Sequence, residues 1–153
     1  MVVTTSPEAE RQLEANKAVM RRYIEELWNQ RNWDVIDEII DPGYKSEPPS
    51  FPGEWGLEDL KENCPPFMAM FPDGKWTTLD MVAEGDRVAC AWEFNATHTQ
   101  DGMGIRATGE KVKVLVIGIY TLANGKIVSL RKLNVGVDSY TAFGLPQPDR
   151  AAG

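Results

Sequence analysis

The sequence predicts an α+β protein: a curved antiparallel sheet wrapped around a long N-terminal helix and two shorter helices, closing into a cone-shaped α+β barrel. Three observations lead there. The helical-period apolar stripe is confined to the first part of the chain, at Leu13, Val19, Met20, Tyr23, Ile24, Leu27 and Trp28. Residues 76–137 read as four long β-runs in succession, 76–83, 87–99, 110–122 and 126–137. The breaks between them are Glu84-Gly85-Asp86, a glycine-bearing loop at 101–109, and Ala123-Asn124-Gly125. Asn-Gly between two β-runs is a strong hairpin signal, because the tight mirror-image turn needs positive φ. Helices followed by a meander is an α+β order. Bending so long a meander around the long helix leaves a conical cavity, lined by strand residues of one parity and by apolar helix residues.

Each element has its own start and stop. Residues 1–7 lack periodicity and are expected to fray. Ser6-Pro7-Glu8 opens the first helix: Ser caps it, Pro suits the first helical position, and Glu8 and Glu10 complement the helix dipole. Asn32-Trp33-Asp34 breaks it and starts a short helix over 34–40, which Asp41-Pro42-Gly43 should end. Residues 44–51 read as extended and proline-rich. Gly56-Leu57-Glu58-Asp59-Leu60 opens a third helix towards Met70, with Pro65-Pro66 expected to kink or split it. Phe71-Pro72-Asp73-Gly74 turns into the first long strand. A short segment at 138–143 should close the domain, and 145–153 reads as a proline-rich polar tail. The whole chain, 1–153, is read as one domain without internal repeats.

Composition narrows the function. With 153 residues the chain can bury a real core without staples, and 42% hydrophobic with 25% charged residues is ordinary for a globular protein. A net charge of −7 with no basic stripe argues against nucleic acid as a partner. No apolar run is long enough to span a membrane and no apolar signal core opens the chain, so a cytoplasmic protein is expected. Cys64 and Cys90 have no metal-type spacing and read as reduced thiols, and His98 is the only histidine, so no metal site is expected. No glycine loop of a phosphate- or dinucleotide-binding kind is present: Gly102-Met103-Gly104 sits in a hairpin loop and does not lead from a strand into a helix. No cofactor is expected.

The order and spacing of several pieces over roughly residues 16–144 resemble the SnoaL-like polyketide cyclase family, within the nuclear-transport-factor-2-like fold. The pieces are Asn29 to Asp41 with Trp33, Gly56-Leu57-Glu58-Asp59-Leu60, Phe71-Pro72-Asp73 and Glu84-Gly85-Asp86-Arg87-Val88-Ala89. They continue with Thr97-His98-Thr99, Ala107-Thr108-Gly109 and Gly125-Lys126-Ile127-Val128. The resemblance implies a cone-shaped pocket, a homodimer, and small apolar ring-bearing substrates. Cyclases with aldol chemistry, isomerases, polyketide hydroxylases and, more distantly, limonene-epoxide-type hydrolases share it, and fold does not choose among them. In many relatives the last strand carries a general acid–base aspartate. Aligned without gaps it falls on Lys132, and a further family aspartate falls on Val135. Neither position keeps the carboxylate on which simple aspartate-driven aldol cyclisation depends.

Five polar residues are candidates for chemistry. His98, which the resemblance puts at the pocket wall or mouth, can carry a proton to or from a ketone or enol oxygen; the alternative is a strand-end histidine bonded to its loop. Lys132 has two readings. Hydrophobicity turns Ile127, Ser129, Arg131, Leu133, Val135 and Val137 inward and leaves Lys132 in solvent. The family register instead turns Leu130, Lys132 and Asn134 into the cavity, where a desolvated lysine could act as base or hold an enolate. Glu93 and Asn95 share a parity with Ala89 and Ala91, and the related epoxide hydrolases place a charged pair at what look like these positions. Inward, Glu93 could pair with Lys132; outward, Cys90, Trp92 and Phe94 take the core side instead. Tyr44, Trp55, Phe67 and Met68, with Met70, supply an apolar wall suited to flat rings, or are simply core.

Together these suggest a cofactor-independent cyclase or isomerase acting beside a carbonyl of a polyketide-like or other polycyclic metabolite. His98 would shuttle the proton, while Asn134, Asn95 and Lys132 hold the oxyanion. An epoxide-opening enzyme and a non-catalytic carrier of a hydrophobic metabolite are the rivals. A homodimer is expected through the open sheet faces, with Val112, Val114, Val116, Trp92 and Phe94 as candidate contacts.

Overall fold

The computed structural model describes residues 5–47 and 54–134. The expected closing segment at 138–143, the tail at 145–153, Val135, Val137 and most of the proline-rich stretch lie outside them. The described order is helix α1 (Pro7–Arg22), a π-helical continuation (Tyr23–Asn29), α2 (Val35–Ile39), β1 (Ile40–Ser46) and α3 (Leu57–Ala69). Four strands follow: β2 (Lys75–Glu84), β3 (Arg87–Thr97), β4 (Lys111–Ala123) and β5 (Lys126–Asn134). They form one sheet in the order β1-β5-β4-β3-β2, antiparallel except that β1 runs parallel to β5. The mixed α+β fold, with its four-stranded meander following the helices, is the one predicted; β1 and its parallel pairing with β5 are an addition.

Local chemistry explains the boundaries. Ser6 caps α1 by accepting from the Ala9 N–H at 3.1 Å. Asn124 and Gly125 have φ of 52° and 76°, the positive values the β4–β5 turn requires. The π-helical segment was not foreseen. Its wider turn brings Tyr23, Ile24, Leu27 and Trp28 to the core as two adjacent pairs. Its last residue, Asn29, donates to the Trp76 carbonyl at 2.9 Å and accepts from the Trp76 N–H at 2.8 Å, fastening the helix end to β2. Pro65 and Pro66 do not split α3, which runs through both. The carbonyls their missing N–H groups would have bonded belong to Lys61 and Glu62, on the wetter side of the helix, where water can serve them. Asp41-Pro42-Gly43 also differs from expectation. It does not close a helix but forms the irregular start of β1, whose pairing with β5 shifts register between Ile40 and Lys45.

Alternation decides which sheet face meets the helices. Val88, Cys90, Trp92, Phe94 and Ala96 of β3 and Val112, Val114, Val116, Tyr120 and Leu122 of β4 are all buried on the inner face. This corrects the expected dimer contacts: Val112, Val114, Val116, Trp92 and Phe94 are core, not surface. The outer face carries Leu79, Val82, Ile117, Ile119 and Leu133, each more than two-fifths exposed. Both parities of β4 are apolar, so period two alone could not say which was inside. Aromatic contacts fill the interior in a chain. Tyr120 meets Tyr23 at 5.3 Å and Tyr23 meets Trp28 at 6.2 Å between ring centroids. Trp28 then meets Trp76 at 5.9 Å, Trp76 meets Phe94 at 4.6 Å, and Phe94 meets Phe71 at 5.4 Å.

Candidate active site

The inner face of β5 carries the decisive side chain. Ile127 and Leu130 are both buried, although strict alternation would put them on opposite faces. The pairing with β4 slips between Thr121 and Leu122, where Thr121 faces Ser129 and Leu122 faces Ile127. This bulge at Val128 resets the parity. Beyond it Leu130 and Lys132 point inward while Arg131 and Leu133 are exposed. Lys132 is half-buried and pairs across β4 with Gly118, which in turn pairs with Cys90. Among the described residues of β3, β4 and β5 it is the only charged side chain on the inner face. Burial draws its pKa below that of an ordinary lysine, opposed by the Cys64 side chain from α3.

Its electrostatic neighbour is a weak acid, the Cys64 thiol of α3. Burial pushes the Cys64 thiol up to about 12, with Lys132 pulling the other way. Tyr23, Tyr44 and Tyr120 are raised by burial first, and Cys64 adds to the shift of both Tyr23 and Tyr44. Cys64 is thus the electrostatic neighbour of Lys132 and of two buried phenols. Gly118 lets this corner pack closely: a Cβ there would stand 2.9 Å from Tyr120 Cε2, 3.3 Å from Leu130 Cδ1 and 3.4 Å from Lys132 Cβ. The residues that sequence reasoning missed are Tyr23, Tyr120, Cys64 and Gly118. A lone glycine inside a strand was the available signal for the last, since it marks a close approach.

His98 occupies the other end of the sheet. Its inward parity was legible, but it has no exposure at all. Nδ1 receives the Thr108 N–H at 3.3 Å and lies 3.2 Å from the Thr108 hydroxyl, which puts the proton of the neutral ring on Nε2. Nε2 is buried without a hydrogen-bond partner, and the ring packs on Phe71 at 5.3 Å. Main-chain bonds from His98 N–H to Glu110 and from Gly109 N–H to His98 complete a clasp on the loop over 99–109. Through Gly118, Lys132 registers with Cys90, eight residues before His98 on β3, on the order of 25 Å along the strand. The aromatic chain fills the interval. The two residues expected to share one substrate carbonyl therefore do not meet.

Glu93 and Asn95 lie on the outer face, because Trp92, Phe94 and Ala96 take the inner one. Asn95 donates to Glu93 at 2.8 Å, and Lys113 stands 3.6 Å from the Glu93 carboxylate. The Asn95 bond first, then Lys113, holds that carboxyl below its usual range. Glu93 thus pairs with Lys113 and not with Lys132. Asn134 ends the described part of β5, registered with the inward Val116. Of the expected apolar wall, Tyr44 and Met68 are buried, while Trp55 and Phe67 are half-buried. Phe67 stacks between Phe71 and Phe94, at 5.4 and 6.3 Å. Among the described residues no three His, Cys, Asp or Glu side chains gather as metal ligands, and no helix is long and apolar enough to cross a membrane.

Comparison with known proteins bears on the family and the fold. Residues 18–136 match the model of the SnoaL-like polyketide cyclases. A candidate SnoaL-like polyketide cyclase from Jannaschia sp. CCS1 is 22% identical, with 95% of this chain and 100% of that one covered at a TM-score of 0.76. AclR, a candidate hydroxylase from Streptomyces galilaeus, is 24% identical over 90% of this chain and 91% of that one, at a TM-score of 0.72. IdmH, a candidate polyketide cyclase from Streptomyces antibioticus, is 21% identical over 85% and 99%, at a TM-score of 0.69. No curated protein matches the chain in sequence. These likenesses carry the fold, and the family match spans well over half the sequence: the chain belongs to the SnoaL-like polyketide cyclase family.

Proposed function

We propose that this protein is a cofactor-independent cyclase or isomerase that moves a proton beside a carbonyl of a polyketide-like or other polycyclic metabolite. The observation that carries the reading is the inward placement of Lys132, half-buried among apolar side chains with its pKa lowered by burial. Such an amine is neutral more often than a surface lysine. It can take a proton from the carbon next to a carbonyl, and as ammonium it can hold the resulting enolate oxygen. Tyr44 and Phe67 supply apolar surface for a ring-bearing substrate, and holding one folded conformer of a flexible chain lowers the barrier further. Asn134 belongs to the proposal by its register position alone. The epoxide-opening alternative loses its support, because Glu93 and Asn95 face outward.

The test is turnover. Chelator-dialysed protein is offered flexible poly-β-ketones and ring-bearing β-keto esters, and products are followed by mass spectrometry. Lys132→Met should lower turnover by about a hundredfold or more, the scale of losing an acid–base group. Binding without turnover in the wild type would instead identify a carrier, and a wild-type rate in the variant would remove Lys132 from the chemistry.

The same protein is proposed to work as a homodimer in the cytoplasm, where its free thiols Cys64 and Cys90 stay reduced. The outer sheet face supports the dimer. Val82, Ala89 and Ile119 form one cross-strand row, and Ala91, Ile117 and Leu133 the next. Large apolar side chains thus flank an alanine trough, a shape that a second copy can complete about a two-fold axis. Light scattering should give twice the chain mass at micromolar concentration; a monomer there removes the claim.

A further inference from the structure

We propose that Lys132 acts covalently, condensing its amine with a substrate ketone or aldehyde to form an imine, so that the carbonyl chemistry runs through an enamine. The inference rests on the placement of Lys132 in the site proposed above, and goes beyond its use as a base or a clamp. Its ground is geometric. The bulge at Val128 turns Lys132 inward, where it is half-buried, and the missing side chain of Gly118 lets its stem pack close to the β4 backbone beside Leu130 and the Tyr120 ring. An apolar corner disfavours free water, and so favours the condensed, dehydrated product. The thiol of Cys64 is the electrostatic neighbour of Lys132 and rests protonated at neutral pH, so it can donate a proton.

The steps balance without an oxidant or a second reactant. The neutral amine's lone pair adds to the carbonyl carbon, and the oxygen takes the proton that the nitrogen gives up, forming a carbinolamine. The hydroxyl leaves as water with a proton from a neighbouring acid, giving the protonated imine and the anion of that acid. That anion takes a proton from the adjacent carbon to yield an enamine, whose carbon attacks a second carbonyl of the same substrate and closes a ring as the new alkoxide takes the proton back from the acid. Water then adds to the imine, releasing the cyclised ketone and restoring the amine.

The probe is pentane-2,4-dione, which gives a stable, ultraviolet-absorbing enaminone with an uncharged amine. The full chain has eight lysines, so the other seven serve as internal controls. At neutral pH the mass gain of the diketone less one water should appear on Lys132 faster than on any other lysine, because burial leaves more of its amine uncharged. Lys132→Arg keeps the cation and cannot condense; it should lose both the adduct and turnover, with its thermal melt confirming that it folds. An adduct spread evenly over the lysines overturns the proposal. So does turnover in Lys132→Arg within about threefold of wild type, an outcome that leaves the electrostatic role of Lys132 standing. Loss of turnover in both Lys132→Arg and Lys132→Met, with no adduct on the wild-type Lys132, also overturns it while preserving the proposed proton-transfer function.

Discussion

Replacing Lys132 by methionine should stabilise the protein at neutral pH, and the gain should shrink as the pH rises. Burial depresses the folded-state pKa of Lys132, whereas in the unfolded chain it returns to about 10.4. Below the folded pKa both states carry the proton, and the folded state bears the whole desolvation penalty. Between the two values the unfolded state binds more protons, so wild-type stability climbs with pH, by at most about 1.4 kcal/mol per pH unit for one proton. Methionine is similar in length and fills the same space beside Gly118, so it opens no cavity and removes the penalty. The difference in unfolding free energy, variant minus wild type, should therefore be positive at neutral pH and fall towards zero near pH 10.4. Cys90, Tyr23, Tyr44 and Tyr120 titrate in both proteins and largely cancel in this difference. Cys64 does not cancel fully, since Lys132 lowers its pKa, but that matters only above the ordinary thiol range. Paired urea titrations between about pH 6 and pH 10 measure the difference directly. A variant less stable than wild type at every pH would mean that the fold stabilises the ammonium, and would refute both the base and the imine readings.

Four further outcomes follow from the same geometry. Gly118→Ala should lower stability by about 1–3 kcal/mol through overpacking, partly offset by the roughly 0.5–1 kcal/mol that alanine recovers in backbone entropy; the new methyl meets Tyr120 at 2.9 Å, and a thermal melt reads the balance. The alkaline limb should be steep: Cys64 and Cys90, raised to about 12, and Tyr23, Tyr44 and Tyr120, raised further, contribute stability present below their unfolded pKa values and lost as pH climbs through the folded ones. Denaturant midpoints that stay flat above about pH 9 would contradict their burial. His98→Ala should cost about 2–4 kcal/mol, as for other buried side chains, while turnover per folded molecule falls less than tenfold; a hundredfold fall with the fold intact would restore His98 as the proton carrier. Ile117→Asp should give a monomer by light scattering, because in the proposed dimer it would set a desolvated carboxylate into the outer-face contact.

How far the sequence could be read turns on where one period governs a segment and where two compete. The helical stripe, the Ser6 cap, the Asn124-Gly125 turn and the four strand runs each rest on a local rule, and each is found within a few residues of its expected place. What escaped is what a local rule cannot see. On β4 both parities are apolar, so only the volumes packed by β3, with Trp92 and Phe94 against Ala89 and Ala91, show which face is inside. On β5 an unbroken alternation forced a choice between burying Ile127 and burying Leu130. The bulge at Val128 buries both, and turns Lys132 inward as a consequence. The site follows the same logic. Candidates were chosen for their chemistry, but distance along β3 separates His98 from Lys132, and parity removes Glu93 and Asn95 to the far face. The same packing brings Lys132 to Cys64 and to the Gly118 corner beside Tyr120, and the bland places of these residues in the sequence gave little hint of it. In the proposed mechanism the family register gives Lys132 the place of an acid–base carboxylate, and the half-buried amine beside the protonated Cys64 thiol would replace it with a nucleophile, a change of reaction path that substitution at Lys132 can separate from a loss of fold.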